Sequence, residues 1–162
     1  MTVLADDIRL RVVRPALTTL GLWSATAETL DLATAAHESG GFVHREQIGG
    51  GPALGLWQIE PFTANDTLDW LAGRHRDLLD KLNSLANNDL SEEQNLRDND
   101  LYGAAFCRLI YFRKPFTMIE DASVEWMAAI WGRWYQGRSD PVKEAAFIAD
   151  YARYVAVPPA IT

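Results

Sequence analysis

The sequence predicts a mainly α-helical protein with one irregular segment in its interior. Apolar residues recur at intervals of three and four along most of the 162-residue chain, as in helices with one buried face. Residues that favour helix starts stand before several of these stretches. Residues 41–60 depart from the pattern, because glycines cluster there and the helical period is lost. We expect a small irregular or β element in that segment and a single domain over residues 1–162.

The first two helices are predicted near the N-terminus. One covers residues 6–20, with a break or a kink at Pro15. Ser24 or Thr26 can cap a second helix that runs to about Ser39. The irregular segment then follows.

Helical character returns in the second half of the chain. The spacing of apolar residues predicts one amphipathic helix from Asp66 to Leu85. Ser91 and Gln94 form a capping box, which opens a helix that stops before Pro115.

Two further helices are predicted towards the C-terminus. One starts near Ser123 and continues through the aromatic-rich residues 126–134. Asp140 followed by Pro141 is a typical cap and first-turn pair, and it opens a last helix that runs to about Val155.

Composition argues against several kinds of function. The chain has 22 Asp and Glu against 15 Lys and Arg, a formal charge of −7, which disfavours nucleic-acid binding and attraction to anionic membranes. A single cysteine, Cys107, excludes a disulfide within the chain and a cysteine-based zinc site. The three histidines lack the spacing of a metal site, so we expect no metal and no cofactor.

The sequence carries neither a signal-peptide pattern nor a membrane anchor. Its N-terminus lacks an apolar stretch of signal-peptide length, and no window approaches the roughly 18 apolar residues of a membrane span. We therefore expect synthesis in the cytoplasm, with any action outside the cell following release by another route.

Glu38 is the first candidate catalytic residue. It lies at the predicted end of the second helix, directly before Ser39, Gly40 and Gly41. A carboxylate is mildly disfavoured at a helix C-terminus, and burial would raise its pKa further. Both effects keep the acid protonated near neutral pH, as a general acid requires. Position alone leaves open a solvated glutamate followed by a glycine stop.

Two aromatic segments could form a carbohydrate site. Residues 53–61 contain Trp57, whose ring can stack on a sugar, and Gln58, whose amide can bind hydroxyl groups. Residues 131–137 hold two more tryptophans and Tyr135. Taken singly, each segment could instead pack in the core.

The order of these three features resembles the lytic transglycosylase and goose-type lysozyme group of the lysozyme-like superfamily. Glu38 and Ser39 are similar to that family's Glu-Ser helix end, and residues 52–64 to its Gly-Ala-x-Gly-Leu-x-Gln-Ile-x-Pro loop. The aromatic-rich end, residues 134–137, is similar to its Tyr-Asn-x-Gly segment, with Gln136 in place of the usual Asn. The resemblance is strongest over residues 26–137.

The resemblance implies a lysozyme-like helical domain that cleaves the β-1,4 bond between N-acetylmuramic acid and N-acetylglucosamine in peptidoglycan. It implies that Glu38 protonates the leaving oxygen and then acts as the base while the muramyl 6-hydroxyl attacks C1. It also implies substrate-binding or positioning roles for Ser39, Trp57, Gln58, Tyr135 and Gln136. A lysozyme-type hydrolase would need a second carboxylate, for which the candidates are Glu46, Glu60 and Asp66.

The implied partners are the glycan strands of the cell wall. Small size without a signal peptide or a wall-binding module favours a bacteriophage protein. It would be either an endolysin or a virion-associated enzyme that also binds other virion proteins. Two alternatives stay open: a virion structural or assembly protein with weak activity on the same fold, and an enzyme that cleaves chitin or another amino-sugar polymer.

Overall fold

The computed structural model describes residues 3–156 of the chain. These residues are mostly helical and include no β-strand, which confirms the mainly α class. Residues 1–2 and 157–162, which the predicted domain includes, lie outside the described part. Within residues 3–156, none of the helices has the length and apolar character that a membrane crossing requires.

The N-terminal segment is helical throughout but changes its winding. Helix α1 (Val3–Ile8) leads through a π-helical turn (Arg9–Val13) into α2 (Arg14–Leu20). Pro15 is the second residue of α2, and because it has no N–H it cannot donate to the turn before it. The interruption predicted at Pro15 is therefore the wide turn that precedes it.

Helix α3 (Ala25–Glu38) carries the candidate acid at its last residue. Ser24 caps it, because its side chain accepts a 3.1 Å hydrogen bond from the Ala27 amide. Nearly all of the side chains from Thr26 to Ala36 are buried, so α3 runs through the centre of the molecule.

Two helices replace the single one predicted from Asp66 to Leu85. They are α4 (Pro61–Arg74) and α5 (Arg76–Ser84). His75 divides them with a non-helical backbone (φ −140°, ψ 64°), and the centre of its ring lies 5.0 Å from that of Trp70 and 5.3 Å from that of Phe112. Tertiary packing at this corner overrides a helical period that continues on both sides of it.

A similar break divides the next predicted helix. The capping box of Ser91 and Gln94 is confirmed and opens α6 (Glu92–Asp98). Asn99 then leaves the helical conformation and caps α7 (Asp100–Phe112), accepting from the Tyr102 amide. The side chains from Tyr102 to Tyr111 are buried, which makes α7 the second central helix.

The C-terminal helices begin where the sequence predicts. Ser123 caps α8 (Val124–Ile130), which continues through a π-helical turn (Trp131–Tyr135). Asp140 caps α9 (Pro141–Asp150), and a further π-helical turn covers Tyr151–Val155.

The core lies between the two central helices and their neighbours. Helix α3 packs against α7, α9 and the last π-helical turn, while α2 packs against α7. Nearly all of the buried apolar side chains of the described residues form one continuous cluster. This packing holds α3 beside α9 and the π-helical turn that follows α9.

The segment between α3 and α4 is irregular. Glu46 and Leu54 form one isolated antiparallel bridge, and Leu54 and Ile59 form another, but the β element allowed for by the sequence does not develop into a strand within residues 3–156. Left-handed backbone recurs along this segment and prevents continuous extended structure. The glycines in that conformation are Gly40, Gly41, Gly49, Gly50 and Gly55.

Candidate active site

A cleft of about 630 Å³ lies where the end of α3 meets the irregular segment and the π-helical turn after α8. This volume falls in the range of roughly 300–1,000 Å³ that is typical of ligand sites. All three features that the sequence singled out contribute to its lining, although about a hundred residues separate the first from the last. The contributing side chains are Glu38, Gln58, Tyr135 and Gln136, joined by His37, His44, Gln47, Glu60 and Thr63.

Glu38 is partly buried at the C-terminal end of α3. Its Oε1 accepts a 2.9 Å hydrogen bond from Nε1 of Trp131. Burial raises the pKa of Glu38, and the Trp131 hydrogen bond and the positive charges of His37 and Lys143 only partly offset that rise. A raised pKa keeps the acid protonated closer to neutral pH, which suits proton donation.

Ser39 fixes the turn that follows the acid. Its hydroxyl donates to the Ala35 carbonyl at 2.6 Å and accepts from the Phe42 amide at 2.7 Å. Fully buried by these contacts, Ser39 holds the helix end. It does not line the cleft. The expected role of Ser39 in substrate binding is therefore corrected, because its side chain holds the helix end instead.

The loop that contains Gln58 is a tight turn over Gly55. The Gln58 backbone amide donates to the Gly55 carbonyl at 3.0 Å, and its side-chain Nε2 donates to the same carbonyl at 2.9 Å. Gln58 has a φ of +47°, a left-handed conformation that non-glycine residues rarely adopt. Strained backbone of this kind persists where the surroundings enforce it, often at functional sites.

Trp57 does not line the cleft, so its expected role in stacking on a sugar is corrected. Its side chain is 1% exposed and belongs to the core. The indole Nε1 donates to the Asp31 carbonyl at 3.1 Å, and a Cβ on Gly103 would lie 2.8 Å from the ring. The Trp57 ring, which the sequence suggested would stack on a sugar, instead packs the loop against α3 and α7.

Tyr135 connects the turn after α8 to the Gln58 loop. Its hydroxyl donates to the Trp57 carbonyl at 2.6 Å, and its ring stacks on Tyr111 at 5.3 Å. Burial raises the pKa of the Tyr135 phenol well above its ordinary value, so it stays a neutral donor. The tyrosine holds the loop and lines the cleft, and Gln136, which is exposed, lines it as well.

The three candidates for a second carboxylate lie in different places. Glu60 lines the same cleft as Glu38. Glu46 is 76% exposed and lies 3.8 Å from Arg97, beside a separate shallow depression. Asp66 does not line the cleft and binds Arg113 at 2.8 Å. Only Glu60 of the three shares the cleft with Glu38.

Sequence reasoning missed a second group of residues around Glu38. His37 lines the cleft, and its Nδ1 lies 2.7 Å from Oδ2 of Asp150 on α9. The His37 ring meets Trp131 edge to face at 4.6 Å, and Trp131 stacks on Phe147 at 5.2 Å. His37 could have been noticed as the neighbour of Glu38. Asp150 gave no signal, because it lies 113 residues away.

The arrangement is suited to acid–base chemistry on a polar ligand. Within residues 3–156, no three histidine, cysteine, aspartate or glutamate side chains are grouped as a metal site would need. Comparisons of the chain with protein-family models, with curated proteins and with solved structures find no match. The fold and the site together define a helical protein with a protonatable carboxyl group in a polar cleft.

Proposed function

We propose that the protein is a peptidoglycan-degrading muramidase with a lysozyme-like fold, and more specifically a lytic transglycosylase. One observation carries the proposal. The three segments whose order resembles the lytic transglycosylase group converge on a single cleft, with the Glu38 carboxyl in its wall.

In the proposed reaction Glu38 acts first as an acid. The glycan lies in the cleft with the bond from muramyl C1 to the leaving oxygen near the Glu38 carboxyl. As that bond breaks, the proton of Glu38 moves to the leaving oxygen, which departs as a hydroxyl group. The raised pKa of Glu38 supports this step, because it enlarges the protonated fraction.

Glu38 then acts as a base. The muramyl 6-hydroxyl attacks C1, a new bond forms between O6 and C1, and the hydroxyl proton passes to the ionised Glu38. The product is a 1,6-anhydro sugar and the carboxylic acid is restored. Protons and bonds balance without a second carboxylate, which accords with the positions of Glu46 and Asp66 away from the cleft.

A lysozyme-type hydrolase is the second candidate, because Glu60 lines the same cleft. In that reaction Glu60 would take a proton from the attacking water, which inverts the configuration at C1. The two reactions give different products, so mass analysis separates them.

The proposed setting is a bacteriophage, with the protein released to the cell wall at lysis or carried in the virion. The net charge of −7 gives no long-range attraction to an anionic polymer. Docking to other virion proteins does not depend on that attraction, which favours the virion.

Digestion of purified peptidoglycan, followed by mass analysis of the fragments, tests the proposed function. We expect 1,6-anhydromuramyl products from the wild type, and a loss of roughly a hundredfold or more in Glu38→Gln. Glu125→Gln, on the exposed side of α8, is the matched control and should keep full activity. Reducing-end products that disappear in Glu60→Gln would establish the hydrolase. Undiminished lysis by folded Glu38→Gln would refute both reactions.

A further inference from the structure

The His37–Asp150 pair links the proposed catalytic acid to helix α9. Asp150 is the last residue of α9, and its Oδ2 lies 2.7 Å from Nδ1 of His37. At this distance the ring N–H donates to the carboxylate, which fixes the orientation of the imidazole. The side chains of His37 and Asp150 are only 18% and 29% exposed, so solvent screens the contact less than it screens a surface pair.

The oriented imidazole supports the indole that contacts Glu38. Its ring lies 4.6 Å from Trp131 at an interplanar angle of 81°, while Phe147 stacks on Trp131 at 5.2 Å and 28°. Trp131 is thus held by His37 and by Phe147, and its Nε1 reaches Glu38 at 2.9 Å. Asp150, His37, Trp131 and Glu38 form a continuous series of contacts, which we name the α9 brace.

A purely structural role does not account for the other side of the imidazole. His37 lines the cleft, and its Nε2 has no hydrogen-bond partner within residues 3–156. An apolar side chain could support Trp131 equally well without placing a basic nitrogen beside the acid.

We infer that His37 and Asp150 are positioning residues for the proposed glycan cleavage, acting through Trp131 to hold the Glu38 carboxyl in its reactive orientation. The inference rests on the proposed function and adds α9 to the site. A carboxyl that must donate a proton and later accept one has to keep its position through both steps. A displacement of the carboxyl by about 1 Å can lower the rate roughly a hundredfold. Contacts that keep the Glu38 carboxyl in place would therefore increase the rate.

Several charged and titratable groups surround Glu38 and bear on any test by pH. His37 precedes it on α3, Lys143 acts on it from α9, and Tyr135 lies on the adjoining turn. Asp150, also on α9, contacts His37. Cys107 and Tyr111 on α7 also sense its charge. Among them, His37 and Lys143 contribute positive charge that lowers the pKa of Glu38.

Two pairs of variants test the brace. His37→Gln keeps an amide donor for Asp150 but removes the ring that supports Trp131 and its positive charge. Asp150→Ala removes the orienting carboxylate, whereas Asp150→Asn keeps an oxygen that can accept from Nδ1. His75→Gln is the matched control, because His75 is also partly buried against aromatic rings but lies away from the cleft.

We expect kcat on peptidoglycan to fall about tenfold to a hundredfold in His37→Gln and Asp150→Ala, with KM little changed. Asp150→Asn should recover most of the loss, and His75→Gln should resemble the wild type. The pKa of Glu38, followed by the carboxyl carbon signal of labelled glutamate, should rise in His37→Gln. Unfolding would instead return the pKa of Glu38 to its ordinary value, so a rise cannot come from a loss of folding.

The inference is overturned if folded His37→Gln keeps a kcat within about threefold of the wild type, whatever its Glu38 titration. If Asp150→Ala does not fold, His37→Gln and Asp150→Asn still decide the matter. Glu38→Gln is measured in parallel. If cleavage is lost in Glu38→Gln but kept in the His37 and Asp150 variants, the brace alone is refuted. If cleavage is kept in Glu38→Gln, the proposed function is refuted. The titration of the Glu38 carboxyl can be measured in either case, because it does not require activity.

Discussion

The indole Nε1 of Trp131 donates a 2.9 Å hydrogen bond to Oε1 of Glu38, from a turn that lies 93 residues further along the chain. This contact joins the end of α3 to the π-helical turn that follows α8. It also opposes burial, because it favours the ionised carboxylate while burial favours the neutral acid. The pKa of the proposed catalytic acid therefore depends on a residue from a distant part of the sequence.

Replacing Trp131 with phenylalanine removes the donor and keeps an aromatic ring against Phe147. We expect the pKa of Glu38 to rise further, and the basic limb of the pH–rate profile to move to higher pH, since protonated Glu38 is the proposed acid. The free energy of unfolding should fall by about 1–3 kcal/mol. Activity measured across pH, together with urea denaturation, checks both effects.

Trp134→Phe is the control for that variant, because Trp134 packs under Arg133 and makes no hydrogen bond to Glu38. Its basic limb should match that of the wild type. An unchanged basic limb in Trp131→Phe would mean that the indole does not influence the acid.

Glu38 itself should reduce stability as pH rises. Its folded-state pKa is raised above the ordinary 4.5, so the folded protein holds a proton that the unfolded chain releases. Stability therefore falls as pH rises from about 4.5 through the raised folded-state pKa. We expect Glu38→Gln to match the wild type at acidic pH and to unfold at a higher temperature near neutrality. Equal melting temperatures at every pH would contradict the raised pKa; Glu125→Gln provides the baseline.

Local signals predicted the starts of four helices but missed the helix breaks at His75 and Asn99, and α4 begins at Pro61 and not at the predicted Asp66. Ser24, Ser91, Ser123 and Asp140 all cap helices, because a cap depends on side-chain and backbone groups within three residues of one another. The division of the 66–85 segment depends instead on contact between the His75 ring and Phe112 on another helix. No pattern within the segment itself encodes that contact.

The candidate site was also predictable where neighbouring residues determine it, and not where it depends on tertiary contacts. Glu38 at a helix end and Gln58 in a glycine turn follow from neighbouring residues. Trp57 was misplaced because an aromatic residue in a loop has the same pattern whether its ring faces a ligand or the core. Asp150 was out of reach for a different reason, since its contact with His37 exists only after α9 folds against α3.

The Gln58 turn should tolerate no side chain at Gly55. Gly55 has a φ of +76°, and a Cβ there would collide with the Leu96 carbonyl at the end of α6. We expect Gly55→Ala to lose roughly 1–3 kcal/mol of stability from backbone strain, with the collision adding to the loss. Activity should fall as well, because the same turn presents Gln58 to the cleft. Thermal melts and wall digestion measure the two effects.

The matched control is Gly73→Ala on α4, where a Cβ meets open space. Alanine is the better helix former there, so stability should rise by roughly 0.5–1 kcal/mol. Comparable stability of the two variants would show that the turn can relax around a methyl group.

Asp31 on α3 is buried in the protein core and has no role in the proposed reaction. Its side chain is 1% exposed, and neither carboxyl oxygen has a hydrogen-bond partner in the described part of the chain. Burial raises its pKa well above the ordinary 3.8, while Trp57, Arg108 and Cys107 oppose that rise and Glu28 adds to it. The folded protein therefore keeps Asp31 protonated where the unfolded chain would ionise it.

Asp31→Asn should consequently stabilise the protein in a pH-dependent way. The wild type loses stability as pH rises from about 3.8 through the raised folded-state pKa, because only the unfolded chain releases the Asp31 proton over that interval. Asparagine has the same shape and no proton to release, so the advantage of the variant should grow with pH. Urea denaturation of wild type, Asp31→Asn and the exposed Asp80→Asn at a series of pH values measures it. Parallel curves for wild type and Asp31→Asn would show that the buried carboxyl ionises as readily in the folded protein as in the unfolded chain.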